Sequence, residues 1–199
     1  MPPSAIPRVR VGRILPPAAV RAEVESVLIG PDRLRRRVAQ LGAELTSEYS
    51  GRELVVVALL NGTVVFLADL IRCLPLPLRL DFLNVASYGS STHSGTLRMD
   101  RELRLDVHGR HVLVVDDILD TGRTLRAVTT RLQQLNPASL KTCVLLDKPE
   151  RRMESIQADH VGFVIPDAFV VGYGLDFDER HRNLPFVGVL KNPPIRTEG

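Results

Sequence analysis

The stretch VLVVDDILDTGRT, residues 112–124, decides how the chain is read. Val112-Leu113-Val114-Val115 is an unbroken apolar run of strand type, closed by two acids, Asp116 and Asp117. A short turn carries a third acid, Asp120, and Thr121, Gly122, Arg123 and Thr124 then open a helix. A strand that is apolar at every position is buried on both faces, as in a parallel sheet covered by helices. In such sheets ligands sit beyond the carboxyl ends of the strands. Backbone N–H groups at the helix start, joined by two Thr hydroxyls, make a seat for a phosphate, and Gly122 lets the backbone approach closely. The paired acids cannot bind a phosphate, but they can accept both O–H bonds of a sugar diol or orient a hydrated Mg²⁺. The segment thus offers a phosphate site beside a sugar site. Turn chemistry and helix capping explain any one of these residues, but not the whole run. Neither GxxxxGK[ST] nor GxGxxG is present, so an ATP loop or dinucleotide fold has no support.

The same texture continues outward. LVVVALL (54–60) reads as a buried strand, Asn61-Gly62 as a turn and TVVFLADLIRCL (63–74) as a helix. LRLDFLNVA (78–86), HVLVVDD (111–117) and SLKTCVLLD (139–147) read as strands, with TGRTLRAVTTRLQQL (121–135) a helix between the last two. HVGFVI (160–165), AFVVGY (168–173) and FVGVL (186–190) are shorter strands. Pro31-Asp32 punctuates the start of a helix whose Leu34, Val38, Leu41 and Leu45 recur at helical spacing. Arg35-Arg36-Arg37 falls on its flank and reads as solvated. Residues 1–30 are Pro-rich and read as an N-terminal arm with one or two short strands, VRVGRIL and VESVLI. Residues 31–199 read as a single α/β domain: a central, mostly parallel sheet flanked by helices. A long polar stretch, SYGSSTHSGTLRMD, begins at Ser87, and a loop of that length is usually functional.

Composition narrows the function classes. With 199 residues, 44% hydrophobic and 25% charged, the chain suits one ordinary globular domain. Trp is absent and aromatic residues make up 5%, so the core must rest on Val, Leu, Ile and Ala. No apolar run approaches the roughly 20 residues of a membrane helix, and MPPSAIPRVR lacks the apolar segment of a secretory signal. Cys73 and Cys143 stand apart, which excludes a disulfide framework or zinc ribbon and suits a reducing cytoplasm. The net charge of +3 is mild, and no aromatic–basic interleaving points to nucleic acid. Phosphorylated small molecules fit better as partners than nucleic acid or membrane.

Four segments carry a resemblance: LLNG (59–62), SYGSS (87–91), VVDDILDTGRT (114–124), and LLDKPERR (145–152) with VGFVIPDAFVVGYGLDFDERHRNLP (161–185). Their order and spacing resemble the type I phosphoribosyltransferases and, within them, the hypoxanthine (hypoxanthine-guanine) enzymes, over roughly 51–190. The resemblance implies the type I fold, with a small hood from the terminal segments over the central sheet. It implies purine salvage: transfer of 5-phosphoribosyl from 5-phosphoribosyl-1-diphosphate (PRPP) to N9 of hypoxanthine or guanine, with Mg²⁺. The family forms dimers or tetramers.

By the same resemblance, Asp116 and Asp117 hold the ribose hydroxyls directly or through Mg²⁺, and Thr121, Gly122, Arg123 and Thr124 cradle the 5′-phosphate. Asp120 takes the proton from N7 as N9 attacks the ribose carbon. Lys148 donates to O6, which selects oxopurines because an ammonium offers no acceptor to an adenine amino group. Phe169 stacks on the base and the Val170 backbone bonds its edge. Asp176 borders the base and holds a second Mg²⁺ on the pyrophosphate side. Leu60-Asn61-Gly62 corresponds to the pyrophosphate loop, often with a cis peptide in the family, and Arg182 reaches the same group. Ser87-Tyr88 corresponds to the closing pair of a lid, 87–106, while Asp178, Glu179 and Arg180 are expected in a solvated turn. Three positions depart from the common pattern. Asp116 stands where Glu is usual, Arg123 where Lys or Asn is usual, and Asn61 where many members have Lys. The last removes a cation beside a highly charged leaving group but keeps the backbone donors. The rival readings are a xanthine-preferring relative and a non-catalytic PRPP-sensing regulator.

Overall fold

Leu54, Val56 and Ala58 bury on one face of their strand and Val55, Val57 and Leu59 on the other, and the fold is built around this doubly covered segment. The computed structural model describes residues 22–86, 98–99 and 103–191. In chain order the elements are β1 (Val24–Ile29), α1 (Pro31–Glu48), β2 (Leu54–Leu60), α2 (Val64–Arg72), β3 (Leu78–Ala86), β4 (Arg98–Met99) and β5 (His111–Leu119). They continue with α3 (Arg123–Gln133), β6 (Ser139–Asp147), β7 (His160–Val164), β8 (Val170–Val171) and β9 (Val187–Leu190). The central sheet has the order β4-β3-β2-β5-β6-β7. β2, β3, β5, β6 and β7 run parallel, and β4 is antiparallel at the edge.

Each face has its own core. On one, Leu34, Val38, Leu41 and Leu45 of α1 and Phe66, Leu67 and Leu70 of α2 pack against Val56, Ala58, Leu113, Val115 and Leu145. On the other, Leu125, Val128 and Leu132 of α3 cover Val55, Val57, Val112, Val114 and Val144. Chain order turns back at β2: β3 lies on one side of it and β5, β6 and β7 on the other. The carboxyl ends of β2 and β5 therefore frame the crevice where an open α/β sheet holds its ligand. Above the sheet, β1-β9-β8 form an antiparallel three-stranded hood from both ends of the chain, as the resemblance implies. No helix among the described residues is long and apolar enough to cross a membrane.

Besides one- or two-residue trims at the ends of α2, α3, β7 and β9, the structure departs from the sequence reading in four places. β5 runs two residues further than expected, to Leu119, because Asp116, Ile118 and Leu119 continue the ladder with Val144, Leu146 and Asp147 of β6. Helix α3 starts at Arg123 and not at Thr121, since Gly122 takes a left-handed conformation (φ 89°) ahead of it. β8 keeps only two of the expected residues, because Gly172, Tyr173 and Gly174 all turn to positive φ. Finally, Arg37 is not solvated like its exposed neighbours Arg35 and Arg36. Its guanidinium donates to the carbonyls of Gly162 (3.0 Å) and Val161 (2.8 Å) on β7 and pairs with Glu44 (2.7 Å). Replacing Arg37 by Ala should destabilise the fold by about 1.5–3 kcal/mol, the usual range for charged hydrogen bonds. Arg36→Ala should be nearly neutral, and equal urea midpoints for the two variants would remove the tether. VRVGRIL, Ser87, Tyr88 and most of the expected lid lie outside the described residues. The return from that stretch is held by Asp81, buried in β3, whose carboxylate accepts the N–H groups of Arg104 (2.6 Å) and Leu105 (2.9 Å).

Candidate active site

The register places the acids. Ala58 of β2 lies opposite Val115 of β5, so Asp116 and Asp117 fall level with the last residues of β2 and with Asn61 just beyond. Asp116 is buried; its Oδ1 accepts from the Asp117 N–H (2.9 Å) and from the Thr63 hydroxyl (3.3 Å), itself fully buried. Burial, then the adjacent Asp117 charge, pushes the Asp116 carboxyl well above the ordinary carboxylate range. Burial raises Asp117 as well, opposed by its hydrogen bonds and by Arg182. Two adjacent carboxyls, Asp116 buried and Asp117 half-buried at the cleft, form an anionic site that a divalent cation or a sugar diol would satisfy, so these residues fit Mg²⁺.

Past β5, Asp120, Thr121, Gly122 and Thr124 wrap the start of α3 and line a cleft of about 550 Å³. Leu60, Asn61, Gly62, Asp116, Asp117, Asp176 and Arg182 line the same cleft. Gly122 has no room for a side chain: a Cβ there would stand 2.8 Å from Ile156 Cγ2. The Arg123 side chain is exposed and is not part of the lining.

The loop after β2 contains a cis peptide between Leu60 and Asn61. Gly62 fits tightly, since a Cβ there would lie 1.6 Å from Asp117 Oδ2. In the same lining Arg182 pairs with Asp176 (3.0 Å) and Glu179 (3.0 Å) and donates to the Gly174 carbonyl (3.0 Å). Asp176 also accepts the Glu179 N–H (3.0 Å). The expected solvated turn exists, with Asp178 and Glu179 exposed at φ 52° and 57°. It is not idle, because Glu179 lines the cleft and Arg180 pairs with Glu23. Asp116, Asp117 and Asp176 share the cleft without gathering into one metal-holding cluster among the described residues.

The base-side residues are set back from this lining. Lys148 is buried. It follows β6 and its N–H bonds the Leu119 carbonyl (2.9 Å), which sets it beside Asp120. Val170 is buried in the hood opposite Val189, and Phe169 stands edge-on to Phe177 at 5.7 Å between ring centres. Sequence reasoning missed what holds Asp120. The Arg151 Nε donates to its carboxylate (3.2 Å), and Arg152 donates to its carbonyl (2.8 Å) while pairing with Asp147. The run KPERR was in view, but only Lys148 drew a role from it. Thr63, Asp69, Tyr173 and Gly174 were missed too, because their contacts join segments far apart in the chain.

The chain is similar to known proteins over most of its length. The phosphoribosyl transferase domain family matches residues 24–178. The bifunctional protein TilS/HprT of Listeria innocua is 45% identical over 177 residues, 88% of this chain, which spans only 27% of that protein's length. The hypoxanthine-guanine phosphoribosyltransferase of Bacillus subtilis is 45% identical over 86% of this chain and 96% of its own. The crystal structure of a hypoxanthine phosphoribosyltransferase from Staphylococcus aureus superposes with a TM-score of 0.85 at 40% identity, covering 89% of this chain and 97% of that one. With this family match and relatives at 40–45% identity over most of its length, the chain belongs to the phosphoribosyltransferase family, in its hypoxanthine-guanine branch.

Proposed function

We propose that this chain transfers the 5-phosphoribosyl group of PRPP to N9 of hypoxanthine or guanine, giving IMP or GMP and pyrophosphate, as a step of purine salvage. The observation that carries the reading is one cleft lined by Asp120, Thr121, Gly122, Thr124, the paired acids, the Leu60-Asn61-Gly62 loop, Asp176 and Arg182. Relatives of that name support it at 45% identity. The 5′-phosphate sits at the start of α3, on backbone N–H groups and the hydroxyls of Thr121 and Thr124. Asp116 and Asp117 would accept the ribose hydroxyls, directly or through Mg²⁺, and Asp176 would hold a second Mg²⁺ on the pyrophosphate side; the metal would supply charge neutralisation for the departing pyrophosphate. Asn61 and Gly62 donate backbone N–H groups to that pyrophosphate, and Arg182 adds charge from the same cleft. Without a lysine at position 61, the loop binds PRPP through these backbone donors. Asp120 accepts the N7 proton while Phe169 and the Val170 backbone fix the base plane. Release of pyrophosphate on mixing the chain with PRPP, Mg²⁺ and hypoxanthine tests the reading, and its absence would overturn it.

Lys148 is the specificity residue in this scheme. Its buried ammonium donates to O6, and a charged hydrogen bond is worth about 1.5–3 kcal/mol. Lys148→Ala should therefore weaken hypoxanthine by roughly tenfold to a hundredfold and relax discrimination against adenine. An unchanged hypoxanthine-to-adenine preference in competition assays would shift specificity to the backbone around Val170. We assign the enzyme to the cytoplasm, on its free cysteines, Cys73 and the buried Cys143. We assign it a homodimeric or homotetrameric state, which light scattering would measure.

A further inference from the structure

Three consecutive residues behind the cleft, Gly172, Tyr173 and Gly174, hold φ values of 97°, 53° and 104°. Glycine adopts such angles freely, but a tyrosine between two glycines does so only where its surroundings demand it. Here the surroundings are specific. The Tyr173 ring is buried, and its hydroxyl donates to Asp69 of α2 at 2.6 Å. Burial, reinforced by the Asp69 carboxylate, pushes this phenol far above its ordinary pKa, so it remains a donor at every working pH. One residue on, Gly174 meets the cleft: a Cβ there would stand 2.0 Å from the Gly62 carbonyl oxygen. Gly174 also bonds Arg182 in both directions, its N–H to the Arg182 carbonyl (2.9 Å) and its carbonyl from the guanidinium (3.0 Å).

These contacts close a loop through the site. Asp69 rides on α2, which begins two residues after Gly62. The turn carrying Tyr173 leads directly into Asp176 and Arg182. We propose that Tyr173 is a positioning residue: by anchoring to Asp69 it sets the gap between the Leu60-Asn61-Gly62 loop and the Asp176–Arg182 wall, and so tunes the grip on the pyrophosphate group. The inference rests on the phosphoribosyltransferase reading and deepens it. The phosphate-cradle residues 121–124 enter none of the hydrogen bonds of this linkage. The hydroxyl should therefore matter for ligands carrying pyrophosphate and not for those carrying only a 5′-phosphate.

The test is calorimetric binding of PRPP, pyrophosphate and IMP, each with Mg²⁺, to the parent chain and to Tyr173→Phe, which keeps the ring and loses the anchor. PRPP and pyrophosphate should each weaken by about tenfold, while IMP stays within about twofold. Asp69→Asn keeps an acceptor for the phenol and should restore near-parent binding. Asp69→Leu should reproduce Tyr173→Phe, and the double variant Tyr173→Phe/Asp69→Leu should be no worse than either alone. A Tyr173→Phe chain that binds all three ligands like the parent overturns the inference, and so does one that weakens all three alike, the mark of a purely structural bond. A parent chain that binds none of the three overturns the underlying reading first, and the inference with it.

Discussion

Asp120→Asn is expected to lower turnover with hypoxanthine by roughly 10²–10⁴-fold, the usual contribution of a general base, while PRPP binding stays near the parent value. The substitution is geometrically quiet. Arg151 donates to Oδ1 of Asp120 (3.2 Å), and an Asn oxygen accepts that bond equally well. Arg152 holds the Asp120 carbonyl (2.8 Å), a backbone contact that no side-chain change removes. The residue keeps its place, and what it loses is the ability to take a proton from N7. The loss therefore belongs in kcat, with KM for PRPP little moved. Steady-state kinetics with hypoxanthine and guanine checks both parameters. A variant that turns over at the parent rate would show that Asp120 is not the base, and the third acid of the motif would then be a phosphate-loop residue only.

How far the sequence could be read depended on whether a contact was local. LRLDFLNVA and SLKTCVLLD match β3 and β6 to the residue, the first through the alternation Leu78-Arg79-Leu80-Asp81-Phe82 and the second through its buried apolar run from Cys143 to Leu146. VESVLI matches β1 as well, although its middle residues are exposed and its partner strand, β9, lies at the other end of the described chain. AFVVGY failed as a six-residue strand because its end is fixed by Gly174 against Gly62, a contact across more than a hundred positions that leaves no local periodicity. Arg35, Arg36 and Arg37 are indistinguishable in sequence, yet only Arg37 meets the carbonyls of β7. The candidate site divides in the same way. The cradle at 120–124 is local, a strand end feeding a helix, and its chemistry can be read from thirteen consecutive residues of sequence, 112–124. The Arg151 grip on Asp120 and the Thr63 bond to Asp116 arise only when separate strand ends meet at one crevice.

The paired substitution Asp116→Asn with Asp117→Asn should act in opposite directions on binding and stability. Each carboxylate accepts a ribose hydroxyl in the proposed complex, and hydrogen bonds to charged groups are worth about 1.5–3 kcal/mol each. Two of them lost together should weaken PRPP by at least about a hundredfold. Stability should rise. In the unfolded chain both acids titrate near 3.9 or so, the ordinary Asp value. In the folded chain burial, and for Asp116 the neighbouring charge, holds both above that value. The folded state thus binds the proton more tightly than the unfolded state. The stability linked to these acids is full below about pH 4 and is lost as pH rises through the raised folded values. Asparagine carries no such proton. It imitates the protonated acid, and its oxygen at position 116 can still accept from Thr63 and from the backbone N–H at 117. Without Mg²⁺ the double variant should melt above the parent at neutral pH, with the gap narrowing on acidification and closing near pH 4. PRPP with Mg²⁺ at a concentration that saturates the parent should raise the parent's melting temperature more than the variant's. A gap independent of pH would mean the acids are not held above their ordinary range, and a variant that still binds PRPP like the parent would remove the sugar-diol assignment.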